Sequence, residues 1–117
     1  MYTSHDIMDI ISEYKIPCST EKKMQEEIEM ILADTDIDFE REKRLNAKNI
    51  VDFMIKGGIA IECKIAGTPE NVLRQLERYA EFDSVREIIL VSSKSFSMPS
   101  LINNKPVFVL KTYFSWI

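Results

Sequence analysis

The side chains best suited to chemistry in this sequence lie in one stretch, IVDFMIKGGIAIECKI, at positions 50–65. Asp52 is followed ten residues later by Glu62, and Lys64 stands two residues beyond Glu62. Two neighbouring carboxylates in a half-buried place repel each other unless a cation or a proton compensates for their charge. Oxygen ligands suit Mg²⁺ or Mn²⁺, and a nearby ammonium could orient a water and offset charge on a phosphorane-like transition state. These residue types therefore favour metal-assisted hydrolysis at a phosphoryl group.

Whether these side chains meet depends on how the two flanking strands pair. Glu62 and Lys64 share one face of their strand because successive side chains alternate. A two-residue turn would set Asp52 opposite Cys63 and turn it to the wrong face, whereas a three-residue turn, Lys56–Gly58, sets Asp52 opposite Glu62. That second register also pairs apolar residues: Val51 with Cys63, Phe53 with Ile61 and Ile55 with Ile59. We expect it for this reason; an ordinary surface ion pair on a wet hairpin is the alternative.

The elements that must hold these side chains follow from the apolar pattern and from the turn and capping residues. The order ααβββαβ(α)β favours a single α/β domain over residues 1–117, with a central mixed β-sheet flanked by helices. The predicted elements are a helix capped by Ser4 and running to about Tyr14, a helix from Thr20 to about Ala33, strands at 37–45, 49–56 and 59–65, a helix from Thr68 to about Phe82, a strand at Glu87–Ser92, a loop at Ser93–Asn104 with room for a helical turn, and a strand at Pro106–Tyr113.

With Val51 and Asp52 followed by Glu62-Cys63-Lys64, the chain resembles the PD-(D/E)XK nuclease superfamily, which includes Holliday junction resolvases and RecB-like nucleases. Val51 replaces the proline that leads the family's motif. The resemblance implies a restriction-endonuclease-like fold with an αβββαβ core and divalent-metal-dependent phosphodiester hydrolysis. It also implies that Asp52, Glu62 and the backbone carbonyl of Cys63 are metal ligands, and that Lys64 is the catalytic base or orients the water.

Two further features agree with this family over roughly Glu21 to Ser92. Glu21 lies on the apolar side of the second helix, where many members contribute an acidic residue to the catalytic metal site; a capping carboxylate is the alternative. Gln75 and Tyr79 match the QxxxY element of RecB-like members and share one helical face, which would direct Gln75 to the catalytic centre. A solvent-exposed glutamine above a core tyrosine is the alternative there.

The Cys63 side chain itself is expected in the core, not as a nucleophile.

The charge of the chain limits how it could bind nucleic acid. A net charge of −4 argues against bulk attraction to phosphates, so any DNA contact must be local. We expect the nucleic-acid contacts to come from the basic stretch before the carboxylates and from the third helix, and a solvated charged surface is the alternative. The expected contacts are Arg41, Lys43, Arg44, Lys48, Arg74 and Tyr79.

Several classes of protein are disfavoured by what the sequence lacks. No apolar run approaches the roughly 20 residues that cross a bilayer, and the N-terminus does not read as a secretory signal. Cys18 and Cys63 are too few for a disulfide framework, so we expect a cytoplasmic protein without a membrane partner. His5, the only histidine, has no context that supports a zinc site or a catalytic triad.

Together these observations predict an Mg²⁺- or Mn²⁺-dependent DNA endonuclease, resolvase-like in choosing DNA structure, with RNA left open as a substrate. A homodimer is expected, since two sites would be needed to cut two strands. The alternatives are a non-cleaving nucleic-acid-binding or protein-interaction module with the same fold, and a catalytic subunit that takes its DNA affinity from a protein partner. The aromatic residues Tyr113, Phe114 and Trp116 could seal the core or form a self-association surface.

Overall fold

The computed structural model describes residues 1–112 of the chain. Within them, three helices and six strands follow one another in the order ααβββαβββ. The predicted end of the last strand at Tyr113 lies outside the described residues, as do Phe114 and Trp116. No helix in the described part is long and apolar enough to cross a membrane. The elements are α1 Ser4–Ser12, α2 Glu21–Ala33, β1 Phe39–Arg44, β2 Ile50–Ile55, β3 Ile59–Lys64, α3 Pro69–Ala80, β4 Glu87–Ser92, β5 Leu101–Ile102 and β6 Lys105–Lys111.

The six strands form one mixed sheet in the order β1-β2-β3-β4-β6-β5. β1, β2 and β3 are antiparallel neighbours, whereas β3, β4 and β6 run parallel to one another. Short connections join β1, β2 and β3, so each of these strands runs opposite to the one before it. Helix α3 instead carries the chain back along the sheet between β3 and β4, as a parallel pair requires. The predicted α/β class with a central mixed sheet is confirmed.

The helices cover both faces of this sheet. α1 and α2 bury apolar side chains such as Ile7, Met24 and Ile28 against one face, and α3 buries Val72 and Leu76 against the other. Strands β3 and β4, in the middle of the sheet, are therefore buried along almost their whole length. A polar side chain on β3 consequently has little access to water.

Threonine side chains cap all three helices of the described chain. Thr20 and Thr68 cap α2 and α3 where the sequence predicts a helix start. The prediction that Ser4 caps α1 is wrong, because Thr3 does so through a capping box. The buried hydroxyl of Ser4 instead donates to Glu87 Oε1 at 2.8 Å, which ties α1 to the sheet.

A β-hairpin replaces the helical turn expected between β4 and the last strand. Asn103 and Asn104 have φ angles of 52° and 61°, and they form the two-residue turn between β5 and β6. Asparagine tolerates this left-handed conformation better than most residues, and such a turn matches the twist of paired strands. The Asn-Asn pair was the sequence signal for this hairpin.

The β2–β3 hairpin has the predicted three-residue turn. Its pairs are Phe53 with Ile61, Met54 with Ala60 and Ile55 with Ile59. Gly58 in the turn has a φ of 101°, and a Cβ there would lie 2.9 Å from the Ser84 carbonyl oxygen, so only glycine fits. The expected contact between Val51 and Cys63 is wrong: Val51 packs on the α3 side and Cys63 on the α1–α2 side.

Candidate active site

The backbone pairing of β2 and β3 ends at Phe53 and Ile61, and the next two side chains bridge the strands instead. Asp52 N donates to Glu62 Oε1 at 3.3 Å, and Cys63 N donates to Asp52 Oδ2 at 2.8 Å. Each carboxylate thus reaches the backbone of the opposite strand. We call Asp52 and Glu62 at this point the carboxylate fork. The structure brings together the two acidic residues that the three-residue turn was expected to align.

Glu62 is held in a largely dry place. It is 3% exposed, on a strand that is covered on both faces. Lys64 Nζ lies 3.8 Å from Glu62 Oε2, and the Lys64 side chain keeps 21% of its surface exposed. Lys64 therefore lies between the buried Glu62 carboxylate and solvent. This agrees with its predicted place on the same face of the strand as Glu62.

Glu21 approaches the site from the first turn of α2. Its Oε2 accepts a hydrogen bond from Ile65 N at 3.3 Å, at the end of β3. Thr20, not Glu21, caps the helix, because the threonine hydroxyl accepts from Lys23 N at 3.0 Å. The negative charge of Glu21 is close enough to contribute to the raised pKa of Asp52. The capping alternative for Glu21 therefore does not describe this carboxylate.

Tyr79 links α3 to the carboxylate fork. Gln75 Nε2 donates to the Tyr79 hydroxyl at 2.8 Å, and that hydroxyl lies 2.9 Å from the Ile50 carbonyl oxygen and 3.3 Å from Glu62 Oε2. Gln75 thus acts on Glu62 through the tyrosine. Tyr79 itself is only 2% exposed and its hydroxyl is turned to Glu62, so it presents almost no surface for the predicted contact with nucleic acid.

Burial changes the proton affinity of both carboxyls in the fork. It raises the pKa of Asp52 to about 6, against the opposing effects of the Cys63 N–H and the Lys64 charge. Burial, followed by the charge of Asp52, raises the pKa of Glu62 to about 8, while Lys64 lowers it. Burial likewise raises the pKa of the Cys63 thiol, which agrees with a core residue and not a nucleophile. Without a cation the fork therefore tends to hold a proton near neutral pH.

The donor atoms of the fork are carboxylate oxygens, the ligand type that hard divalent cations prefer. In residues 1–112, no three His, Cys, Asp or Glu side chains are grouped closely enough to hold a metal. Asp52 and Glu62 are a pair, and Mg²⁺ commonly uses one or two protein carboxylates and keeps several waters. Two adjacent carboxylates with raised pKa values are the donors that such an ion would stabilise in their charged form. Glu21 and the Cys63 carbonyl as additional ligands remain predictions.

The basic residues expected to contact nucleic acid fall into two groups. Arg41 is paired with Glu29 at 3.2 Å, and Lys43 with Glu40 at 3.2 Å, so their charges are partly neutralised. The rest are exposed and have no carboxylate within 4 Å in the described part of the chain. This second group is Arg44, Lys48 and Arg74.

Sequence reasoning missed the residues that connect the site to its surroundings. Asn49, just before β2, accepts a hydrogen bond from Arg78 Nε on α3 at 3.4 Å. Asn46 organises the loop that precedes it through three hydrogen bonds to its Oδ1. The two asparagines between two strands were the only signal for this loop, and asparagine in such a place commonly bonds the backbone locally.

Comparison of this chain with protein-family models, with curated protein sequences and with solved structures gives no significant match. Its function is therefore inferred from the geometry of its own residues.

Proposed function

We propose that this chain is a divalent-metal-dependent nuclease of the PD-(D/E)XK type that hydrolyses phosphodiester bonds of DNA. One observation carries the proposal: Asp52 and Glu62 bridge the diverging ends of two strands, with Lys64 Nζ 3.8 Å from Glu62 Oε2. A half-buried carboxylate and a buried one beside an ammonium are unfavourable in a structural role, because each carboxylate resists ionising next to the other. Such an arrangement is typical of a catalytic site.

Asp52 and Glu62 would hold Mg²⁺ or Mn²⁺ through their carboxylate oxygens. When bound, such an ion lowers the pKa of a coordinated water and polarises the phosphoryl group. The residues around the pair have distinct tasks in this proposal. Lys64 orients the attacking water and offsets negative charge that develops on the phosphate. Tyr79, held by Gln75, keeps the Glu62 carboxylate in place.

The order of elements supports a restriction-endonuclease-like fold. From α2 to β4 the chain runs αβββαβ, with three antiparallel strands followed by a helix and a parallel strand. The proposed site lies where β2 and β3 diverge, and Glu21 reaches it from the preceding helix. These are the positions that the resemblance to the nuclease superfamily implies for the catalytic acids.

A homodimer is part of the proposal. One chain carries one carboxylate fork, and cutting both strands of a duplex or a junction requires two. Light scattering on the purified protein tests this, with about twice the monomer mass of 13.6 kDa as the expected result. A monomer that still cuts both strands would contradict this part of the proposal alone.

Cleavage assays test the nuclease function. The purified protein is incubated with labelled four-way-junction, duplex and single-stranded DNA, and with RNA of the same sequence, in Mg²⁺, Mn²⁺ or EDTA. We expect metal-dependent cleavage of DNA that falls about 100-fold in a Lys64→Ala variant, the usual effect of removing one group that stabilises transition-state charge. Lys56→Ala, an exposed lysine at the other end of the same hairpin, is the matched control and should cleave normally.

No metal-dependent cleavage by the wild type, or equal cleavage by Lys64→Ala, would reject the nuclease function. Binding without cleavage would then favour the competing function, a nucleic-acid-binding module that keeps the fold. The net charge of −4 is the observation that favours such a module or a dependence on a partner protein for DNA affinity.

A further inference from the structure

The loop between β1 and β2, residues 45–49, is held by its own hydrogen bonds. Asn46 Oδ1 accepts from Lys48 N at 2.9 Å, from Asn49 N at 2.8 Å and from Asn49 Nδ2 at 3.1 Å. Leu45 N donates to the Asn49 carbonyl oxygen at 2.8 Å. One exposed asparagine side chain thus organises the whole turn, an arrangement that fixes the loop without burying it.

This β1–β2 loop is also attached to the helix that contacts the carboxylate fork. Arg78 Nε donates to Asn49 Oδ1 at 3.4 Å, and the next residue along α3, Tyr79, contacts both Ile50 and Glu62. Asn49 precedes Asp52 by three residues, a separation of about 10 Å at the usual rise of a strand. The loop therefore has a defined position relative to the site.

The loop region carries positive charge that is not neutralised. Residues 43–50 read KRLNAKNI, with three basic residues and no acidic residue, in a chain of net charge −4. Lys43 is paired with Glu40, but within the described residues Arg44, Lys48 and Arg78 have no carboxylate oxygen within 4 Å. Arg44 Nη1 donates to the Ala47 carbonyl oxygen at 3.1 Å, which holds its guanidinium against the loop.

We propose that the β1–β2 loop is a preorganised phosphate-binding element, which holds a nucleic-acid strand beside the carboxylate fork. The inference rests on the proposed nuclease function. Fixed cations and N–H donors bind phosphodiester oxygens without reading bases, and a loop ordered in advance loses little entropy on binding. About 10 Å spans about three phosphates of one strand along a duplex axis. Arg44, Lys48 and Arg78 contact phosphates, and Asn46 is a positioning residue that holds the backbone at Lys48 and Asn49.

Binding measurements in EDTA separate this inference from catalysis. Fluorescence anisotropy of a labelled 20-base-pair DNA duplex, and of an RNA duplex of the same sequence, gives the Kd over a range of salt concentrations. Lys48→Ala is expected to weaken binding roughly tenfold, the effect of losing one charge-assisted hydrogen bond, and to reduce the slope of log Kd against log salt by about one. The control Lys56→Ala removes an exposed lysine at the far end of β2 and should bind like the wild type.

Asn46→Ala tests preorganisation, because it leaves the net charge unchanged. We expect weaker binding together with faster amide hydrogen exchange at Lys48 and Asn49, while the melting temperature stays within about a degree of the wild type. In an active enzyme, KM should rise and kcat at saturating DNA should hold. Asn46→Asp, which retains the acceptor oxygen, should restore slow amide exchange at both positions.

The results distinguish the two proposals. Wild-type binding of DNA or RNA that depends on Asn46 and Lys48 supports the loop, even if no cleavage occurs and the nuclease function fails. Cleavage in Mg²⁺, with Lys48→Ala and Asn46→Ala binding DNA as tightly as Lys56→Ala, would reject the phosphate-binding role of the loop. The nuclease function would not be affected by that result. Absence of binding to either duplex by the wild type at low salt would also reject the phosphate-binding role of the loop.

Discussion

Burial raises the pKa values of both Asp52 and Glu62, so the folded protein disfavours the charged form of each carboxyl. Asp52 accepts a hydrogen bond from Cys63 N at 2.8 Å, and Glu62 accepts one from Asp52 N at 3.3 Å, so each carboxylate is held towards the opposite strand. The Tyr79 hydroxyl and the Lys64 ammonium each approach Glu62 Oε2. These contacts hold two carboxyl groups close together, where a proton, the Lys64 ammonium or a bound cation can offset their negative charge.

The stability of the metal-free protein should depend on pH through these two carboxyls. Unfolded Asp and Glu titrate near pH 4, whereas burial raises the folded pKa values of Asp52 and Glu62 to about 6 and about 8. The folded state then binds more protons, so the free energy of unfolding should fall as pH rises from about 4 through those values. Urea denaturation in EDTA at pH 5, 7 and 9 measures this. Asp52→Asn should flatten the decline, and an equally steep decline in that variant would contradict the assignment.

Removal of the Tyr79 hydroxyl tests the link between α3 and the fork. Tyr79→Phe removes a buried hydroxyl that contacts the half-buried Gln75 amide, the Ile50 carbonyl and the buried Glu62 carboxylate. We expect a loss of about 1–2 kcal/mol in the free energy of unfolding, measured by chemical denaturation. Tyr14→Phe, at a tyrosine that is 44% exposed, is the matched control and should change stability little. Equal effects of the two changes would show that the buried hydroxyl is not a structural link.

At the scale of elements, the β2–β3 hairpin positions the site, and its turn depends on glycine. Gly58→Ala would force a side chain into a φ of 101° and place Cβ 2.9 Å from the Ser84 carbonyl oxygen. We expect a loss of more than about 1 kcal/mol in stability, from conformational strain and steric clash together. Gly67→Ala is the control, with a φ of 111° but a nearest contact of 3.8 Å, so it carries the strain alone. Equal melting temperatures for the two variants would argue against a tight turn at Gly58.

The register of this hairpin was predictable because two independent patterns agree. The apolar alternation and the glycine turn both require Phe53 to face Ile61, and the structure has that pair. Val51 was mispredicted because strand alternation assumes a regular ladder, whereas β2 is unpaired with β3 before Phe53, and β3 with β2 after Ile61. Glu42 on the neighbouring strand β1 adds to this irregularity, with a φ of 55° at the position opposite Asp52.

Other parts of the site depend on contacts between distant elements, which periodicity does not contain. The spacing of Gln75 and Tyr79 predicted a shared face, but only the packing of α3 on the sheet decides that Tyr79 is buried against Glu62. Strand β5, of two residues, is too short for a periodic signal. Glu21 was placed correctly on the inner side of α2, while its bond to Ile65 required the structure.

At the scale of the whole molecule, metal binding should appear as added stability. A ligand that binds only the folded state at 100 times its Kd stabilises it by about 2.7 kcal/mol. For a chain of 117 residues this corresponds to a rise in melting temperature of roughly 10 °C. We expect Mn²⁺ to produce such a rise at pH 8 and a smaller one at pH 5, where protons compete for the carboxylates. An Asp52→Asn variant that shows the same rise would place the metal elsewhere.

Under the proposed function, the charge of the molecule restricts nucleic-acid binding to local contacts. The net charge is −4, yet the cations without a carboxylate partner in the described chain include Arg44 at the end of β1 and Lys48 in the β1–β2 loop. Affinity should therefore be modest and strongly dependent on salt. The catalytic and binding proposals meet in the short segment from Arg44 to Lys64.

The rate of DNA cleavage by Glu62→Gln under single-turnover conditions in Mg²⁺ tests the central claim most directly. Glutamine keeps the size of the side chain and its contact with Tyr79 but removes the charge that would hold the cation. We predict a melting temperature in EDTA at least equal to that of the wild type, with a cleavage rate at least about 100-fold lower. Cleavage by Glu62→Gln at the wild-type rate would contradict the assignment of Asp52 and Glu62 as a metal-binding catalytic pair.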